Sequence, residues 1–269
     1  MRGNYKFYVI IILKMNKKEA AIFLSVVIPC YNEEANLKRG VLGEVNDYLQ
    51  KQKYSWEVII SDDGSTDKSK DLAEKFAKSN QGFRLLKNQH GGKPYAVWQG
   101  IKKARGQIVL FTDMDQSTPI REIEKLLPYF KKNYEVVIGS RGWKRTGAPF
   151  YRQLAAFIFL QVRRLLLLPE IIDTQCGFKA FKTKVAQELF PKLSVLENWQ
   201  EASGWRVTAF DVELLFLAKK KGYRIKEVPV LWRDKDVALG KNKSFVKESR
   251  QMLEQIINVR RQERRGKYE

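Results

Sequence analysis

The sequence predicts an α/β protein with a mostly parallel central sheet flanked by helices. Apolar runs typical of buried strands alternate with segments whose apolar side chains recur at helical spacing. Short polar connections, several of them containing glycine, join these elements. An alternating order of strands and helices with short connections is typical of an open parallel sheet with right-handed crossovers.

Five strands are predicted in the first 140 residues. The first of them, FLSVVIPC, is a continuous apolar run, as expected for a strand that is buried on both faces of a parallel sheet. The later strands are also predicted from short runs of mostly apolar residues. The predicted strands are residues 23–30, 56–61, 83–86, 108–111 and 134–140.

Helices are predicted between and after these strands. The first spans residues 32–50, with Asn32 as its N-cap and apolar side chains every four residues. Pro94 is placed for the first turn of a helix over residues 94–105. Later helices are predicted at residues 209–221 and 245–260, and Pro229 places the strand at residues 223–232 at a sheet edge.

The domain organisation follows from these elements. We expect an N-terminal extension at residues 1–22, one domain at residues 23–243, and a basic helix and tail at residues 244–269. Residues 149–168 are mostly apolar but contain Arg163 and Arg164, so they suit either a helix at a membrane interface or a buried core helix. No stretch reaches the roughly 20 uncharged apolar residues of a membrane-spanning helix.

Composition narrows the classes of function. The 269 residues carry 50 Lys and Arg against 30 Asp and Glu, a net charge of +20. This excess indicates an anionic partner, which could be nucleic acid, a membrane surface or a phosphorylated substrate. Two distant cysteines and a single histidine disfavour a zinc site and a Ser-His-Asp triad.

Two carboxylates, Asp113 and Asp115, follow the strand at residues 108–111. If extended geometry continues, both point to the same side and Met114 points into the core. Adjacent carboxylates repel unless a cation lies between them, and oxygen ligands suit Mg²⁺ or Mn²⁺ shared with substrate phosphates. The alternative is an ordinary polar turn after a buried strand.

Other polar groups follow the neighbouring strands. In a parallel sheet these ends meet at one edge, where ligands bind. Arg141 ends the fifth strand, where it could bind phosphate or lie on the surface. Neither G-x-G-x-x-G after the first strand nor a P-loop motif is present, which argues against a nicotinamide dehydrogenase and a P-loop nucleotidase. The polar groups are Pro29, Tyr31, Glu33, Asp62, Asp63, Gly92, Lys93, Asp113 and Asp115.

Together these stretches resemble the family-2 glycosyltransferases of GT-A fold, and most closely the polyprenyl-phosphate (dolichyl-phosphate) glucosyl- or mannosyltransferases. The matching segments lie in the same order from residue 25 to about residue 261. DTQCGFK and FDVELL are the most specific of them. The segments are SVVIPCYNEEANL, SDDGSTD, GGK, ARGQIVLFTDMDQSTP, VVIGSR, DTQCGFKAF and FDVELLFLAKKKGYRIKEVPV.

The resemblance implies roles for individual residues. Asp115, Asp173 and Arg141 are the implied catalytic residues, with Asp113 and Asp115 as ligands of Mg²⁺ or Mn²⁺. Arg141, Gln175, Arg233 and Lys243 would contact the acceptor or its phosphate. The nucleotide sugar would be bound by Pro29, Tyr31, Glu33, Asp62, Asp63, Lys93, Asp113, Met114 and Asp115.

The implied activity is inverting transfer of one sugar from a nucleotide sugar to a polyprenyl phosphate. UDP-glucose is the favoured donor and GDP-mannose a possible one, with peripheral binding to the cytoplasmic face of the cell membrane or to the endoplasmic reticulum membrane. A phosphate acceptor is already an anion, so Asp173 is expected to position rather than to act as a base.

Two alternatives stay open at this point. A glycosyltransferase of the same fold could use a glycan or protein hydroxyl as acceptor, which requires a base such as Asp211 or Glu213. A basic nucleic-acid-binding protein would explain the charge. It would leave the four aspartates at the sheet edge as repulsive groups, so we expect no nucleic-acid partner.

Overall fold

The computed structural model describes residues 21–142, 167–197, 199, 210–237 and 245–268. Within these residues it contains a seven-stranded sheet flanked by helices, as the sequence predicts. The strand order is β3-β2-β1-β4-β6-β5-β7. The strands are β1 (Leu24–Cys30), β2 (Trp56–Asp62), β3 (Phe83–Lys87), β4 (Ile108–Thr112), β5 (Val136–Ser140), β6 (Phe178–Lys182) and β7 (Ile225–Pro229).

Eight α-helices are present in the part of the chain that the structure describes. Short 3-10 turns precede α5 and follow α6. The helices are α1 (Glu34–Lys38), α2 (Val41–Leu49), α3 (Ser69–Ser79), α4 (Lys93–Lys103), α5 (Ile123–Lys131), α6 (Thr183–Leu189), α7 (Phe210–Lys220) and α8 (Phe245–Arg264).

One strand of the sheet runs against the others. β1 is parallel to β2 and β4, β2 to β3, and β5 to β7, whereas β6 is antiparallel to both β4 and β5. Because β6 is reversed, its amino end lies at the carboxyl ends of its neighbours: Thr112 of β4 pairs with Phe178 of β6. The turn that precedes β6 therefore lies at the same sheet edge as the segment that follows β4.

The sheet separates two apolar layers. Along β1, Val27 packs into one layer, while Val26 and Ile28 pack into the other, because successive side chains of a strand point to opposite faces. All three are fully buried. The continuous apolar runs of the sequence are explained by this burial on both faces.

The first predicted helix is wrong in two respects. It is interrupted at Gly40, whose φ of +89° is a left-handed conformation that suits glycine, and α2 begins only at Val41. Asn32 does not cap a helix; its side-chain oxygen accepts hydrogen bonds from the main-chain N–H groups of Thr66 (2.9 Å) and Asp67 (3.4 Å). The side chain thus joins the loops that follow β1 and β2.

Several other predictions can be compared with the structure. β7 is the outermost strand on one side of the sheet, as Pro229 indicated. The side chain of Met114 is buried, as predicted. The last helix extends to Arg264 rather than to residue 260. No helix among the described residues is long and apolar enough to cross a membrane. Residues 1–20, residues 149–166 and Lys243 lie outside the described residues, so the predictions made for them are not compared.

Candidate active site

The loops at the carboxyl edge of the sheet bring most of the predicted residues together. Parallel strands β1 to β4 contribute their following loops, and the reversed β6 contributes its preceding turn. The segment after β7 crosses the same edge: the N–H of Arg233 donates to the carbonyl of Ser117 (2.9 Å), two residues after Asp115. The edge is thus built from six separate parts of the chain.

Asp113 and Asp115 lie at the end of β4. The ammonium Nζ of Lys93, at the start of α4, lies 2.5 Å from Asp113 Oδ1, while Asp115 Oδ1 accepts the N–H of Ser117 (2.8 Å). Burial, followed by the negative charge of Asp113, raises the pKa of Asp115 above its ordinary value. The negative charge of each carboxylate therefore disfavours that of the other, and a cation between them would relieve this repulsion.

Lys93 is held in this position by several charges. Burial by itself would lower the pKa of its ammonium, but the carboxylates of Asp113, Asp211 and Asp115 outweigh that effect and raise it. Lys93 is therefore a cation that faces the acidic pair. Its place at the first turn of α4 follows from the preceding loop, whose Gly91 and Gly92 N–H groups donate to Asp63.

Gly177 explains why the carboxylate of Asp113 fits against β6. A Cβ atom at this position would lie 2.0 Å from Asp113 Oδ2, closer than any real contact. The main chain of the turn that precedes β6 therefore packs directly on the carboxylate. The DTQCGFK segment contains this glycine, but its role depends on the pairing of β4 with β6 and was missed in the sequence.

The two aspartates that follow β2 have different environments. Asp63 is buried, and its two carboxylate oxygens accept the N–H groups of Gly91 (2.9 Å) and Gly92 (2.8 Å). Asp62 is also buried, but its Oδ1 atom has no hydrogen-bond partner, while Oδ2 accepts the N–H of Ser65 (3.3 Å). Asp63 thus shapes the loop before Lys93, whereas Asp62 Oδ1 is a buried acceptor without a partner in the protein.

The remaining residues predicted to bind the nucleotide lie beside these two. The ring of Tyr31 stacks on His90, with 4.3 Å between ring centroids. Glu33 Oε2 accepts a hydrogen bond from Asn36 Nδ2 (2.6 Å). Pro29 is in register with Ser61 at the ends of β1 and β2. The side chain of Met114 is buried in the core, so any contact of this residue with a ligand would be made by its main chain.

Arg141 and Asp173 form a second charged group at the edge. The guanidinium Nε and Nη2 atoms donate to the two carboxylate oxygens at 2.7 Å and 2.9 Å, and the N–H groups of Arg141 and Gln175 donate to them as well. Burial by itself would raise the pKa of Asp173, but the hydrogen bonds and charge of Arg141 hold it well below its ordinary value. Asp173 is thus a poor proton acceptor.

Three features of the site were not found from the sequence. Arg39 Nη2 donates to the carbonyl of Asp115 (2.6 Å). Trp232 lies over the guanidinium of Arg141, 5.7 Å from its ring centroid. Lys179 is fully buried in β6 and pairs with Asp211. A lysine between the apolar residues Phe178 and Ala180 of a strand was the available signal for the last of these, since buried lysines need a partner.

Residues 25–190, more than half of the chain, match the sequence profile of the family described as Glycosyl transferase family 2. This chain belongs to glycosyltransferase family 2. It is therefore a glycosyltransferase, and the resemblance stated from its sequence motifs is confirmed.

Individual members of family 2 are similar over most of the chain. The dolichyl-phosphate beta-glucosyltransferase of Saccharomyces cerevisiae is 32% identical, with 92% of this chain and 77% of the yeast protein covered. The human dolichyl-phosphate beta-glucosyltransferase is 33% identical, with 78% and 67% covered.

A solved structure is similar in fold. Glucosyl-3-phosphoglycerate synthase from Mycobacterium tuberculosis, crystallised with Mn²⁺, UDP and glucosyl-3-phosphoglycerate, has a TM-score of 0.59 at 20% identity. The similarity covers 90% of this chain and 81% of that one. At this identity the similarity concerns the fold, and it confirms the predicted GT-A architecture of this family-2 glycosyltransferase.

The different environments of Asp62 and Asp63 lead to different expected losses of stability for the two variants. Asp63→Asn leaves only one oxygen for the two N–H donors of Gly91 and Gly92, so we expect the free energy of unfolding to fall by about 1–3 kcal/mol. Asp62→Asn keeps one oxygen for Ser65, and we expect a change below about 1 kcal/mol. Urea denaturation followed by circular dichroism measures both. Equal losses in the two variants would contradict these assignments.

Proposed function

We propose that this protein transfers glucose from UDP-glucose to a dolichyl-type polyprenyl phosphate, with inversion at the sugar C1 atom. The observation that carries the proposal is the pair Asp113 and Asp115 facing Lys93 at the carboxyl edge of a family-2 fold. The names of the relatives at 32–33% identity supply the donor sugar and the acceptor.

A divalent cation fits the acidic pair. Among the described residues no group of three or more His, Cys, Asp and Glu side chains could hold a metal by itself. Mg²⁺ and Mn²⁺ commonly bind to one or two carboxylates and complete their coordination with substrate phosphates, so Asp113 and Asp115 suit this mode. The cation would neutralise charge on the departing diphosphate.

The donor would bind between the loops that follow β1, β2 and β4. The unpartnered Oδ1 atom of Asp62 can accept a hydrogen bond from the base or ribose, and Tyr31 offers an aromatic face. Pro29 and Glu33 complete this side of the proposed nucleotide site. The ammonium of Lys93 lies where it can also contact the diphosphate of the donor.

The acceptor would approach from the side of Arg141. This guanidinium is fixed by Asp173, and Gln175 lies on the same turn. A phosphate oxygen of the acceptor attacks C1 of glucose, the bond from C1 to the diphosphate oxygen breaks, and UDP leaves. No proton has to be removed because a phosphate monoester is already ionised, its second pKa being about 6.

Two exposed apolar side chains suit the prenyl part of the acceptor. Trp232 beside Arg141 is 39% exposed, and Ile172 next to Asp173 is 41% exposed. Apolar groups next to a cationic site fit a lipid that carries a phosphate.

We further propose that the protein binds peripherally to a membrane through residues 149–168 and the basic tail. The membrane would be the cytoplasmic face of the cell membrane or the endoplasmic reticulum membrane. Arg233 and Lys243 would lie near the acceptor.

A donor screen tests the proposal directly. The purified protein is incubated with polyprenyl phosphate and radiolabelled UDP-glucose or GDP-mannose, with Mg²⁺ or Mn²⁺ and with EDTA. We expect label from UDP-glucose in an organic-extractable lipid phosphate, and none with EDTA. Label only in water-soluble products, or transfer that is insensitive to EDTA, would contradict the proposal.

Arg141→Lys tests the acceptor side. Lysine keeps the charge but cannot make the two parallel hydrogen bonds to Asp173, so the cation and the turn lose their fixed positions. We expect kcat/KM for polyprenyl phosphate to fall about 10- to 100-fold, in line with the loss of hydrogen bonds to a charged group, and KM for UDP-glucose to change less.

The matched control is Arg84→Lys, which alters the contact of Arg84 Nε with Glu57 (3.3 Å), away from the residues of the proposed site. We expect its kinetic constants to equal those of the wild type. If Arg141→Lys and Arg84→Lys behave alike in steady-state kinetics, Arg141 does not bind the acceptor.

A further inference from the structure

Lys179 is a fully buried charge next to the reaction site. It is the second residue of β6, and 0% of its side chain is exposed. Its ammonium donates to Asp211 Oδ1 (2.6 Å) and to the carbonyl of Cys176 (2.5 Å), and it lies 5.4 Å from the centre of the Phe111 ring. A lysine is almost never buried in this way without a paired anion. Asp211 is therefore the counter-ion on which the burial of Lys179 depends.

Asp211 lies near enough to Lys93 for its charge to act on that ammonium. It is the second residue of α7, and 12% of its side chain is exposed. The same ammonium also contacts Asp113. Removing a proton from the acceptor is the role expected of Asp211 if the acceptor is a hydroxyl.

The pairing with Lys179 opposes that role. If Asp211 accepted a proton, the ammonium of Lys179 would stay buried without a counter-ion, and an unpaired buried charge is strongly unfavourable. The other side chains considered as bases are also engaged. Asp173 binds Arg141, while Glu213 accepts hydrogen bonds from the N–H and hydroxyl of Ser194 (2.9 and 2.7 Å) and from the hydroxyl of Tyr268 (2.7 Å).

We propose that Lys179 is a positioning residue that determines the class of acceptor. By holding Asp211 in an ion pair, Lys179 prevents this carboxylate from acting as a general base, so the site transfers sugar only to an acceptor that arrives already ionised. This inference rests on the proposed function and deepens it, because it explains why a phosphate and not a hydroxyl is used.

The two reactions differ in where a proton goes. With a phosphate acceptor, the bond from C1 to UDP is replaced by a bond from C1 to a phosphate oxygen, and no proton moves. With water as acceptor, the bond from C1 to UDP is replaced by a bond to the water oxygen, and one proton must pass to a base, giving free glucose and UDP. Hydrolysis of the donor therefore reports whether Asp211 is available as a base.

The experiment compares hydrolysis with transfer in the full-length protein. Free glucose and glucosyl lipid are measured from UDP-glucose with polyprenyl phosphate for the wild type and for Lys179→Met, Lys179→Arg and the double variant Lys179→Met/Asp211→Asn. We expect Lys179→Met to raise the ratio of hydrolysis to transfer by at least about 100-fold, the lower range for general-base catalysis. Lys179→Arg should keep the wild-type ratio, and the double variant should lose the gain.

A purely structural role for Lys179 would lower both reactions together and leave their ratio unchanged. The inference is overturned if the ratio stays constant in folded Lys179→Met, or if the gain persists in the double variant. Circular dichroism checks folding. If Lys179→Met does not fold, Lys179→Gln replaces it, because glutamine keeps a hydrogen-bond donor without the charge. We expect the same rise in the ratio of hydrolysis to transfer, and an unchanged ratio would again overturn the inference.

Failure of this inference can be distinguished from failure of the proposed function. A wild-type protein that transfers glucose to polyprenyl phosphate, with a ratio that Lys179→Met does not alter, contradicts the role of Lys179 alone. A wild-type protein that glucosylates a hydroxyl acceptor and no polyprenyl phosphate contradicts both proposals.

Discussion

The repulsion between the carboxylates of Asp113 and Asp115 is the interaction on which the rest of the site depends. Burial raises the pKa of Asp115, and the neighbouring charge of Asp113 adds to this effect. The fold holds Asp113 in place nevertheless, by packing Gly177 directly against it and by placing the ammonium of Lys93 2.5 Å from its Oδ1 atom. Such an arrangement is stable only with positive charge nearby, which a metal–diphosphate complex would supply together with Lys93.

The antiparallel strand β6 adds the second half of the site. Because β6 is reversed between β4 and β5, the turn before it joins the loops that follow the parallel strands. This turn supplies Gly177 and Asp173, and β6 itself supplies Lys179. Three other carboxylates are held by side chains elsewhere in the fold. Asp173 pairs with Arg141, Asp211 pairs with Lys179, and Glu213 accepts hydrogen bonds from Ser194 and Tyr268. Asp113 and Asp115 are thereby left to bind a cation, whereas Asp173, Asp211 and Glu213 are bound to other side chains of the protein.

Much of this architecture could be predicted from the sequence, because buried parallel strands are continuous apolar runs and their polar ends meet at one edge. The acidic pair was found for the same reason. What depends on contacts between distant segments was missed: the reversal of β6, the binding of the Gly91 and Gly92 N–H groups by Asp63, and the pair of Lys179 with Asp211, 32 residues apart. The break at Gly40 was missed because the apolar stripe continues across it, although the chain turns there.

The central claim is that Asp113 and Asp115 bind a divalent cation together with the diphosphate of the donor. Isothermal titration of UDP into the protein, with Mn²⁺ and with EDTA, tests it most directly. We predict that Mn²⁺ tightens UDP binding at least about 10-fold, or about 1.4 kcal/mol, and that Asp113→Ala/Asp115→Ala abolishes the difference. Equal affinity for UDP with Mn²⁺ and with EDTA in the wild type, or a metal effect that survives in the double variant, would contradict the account.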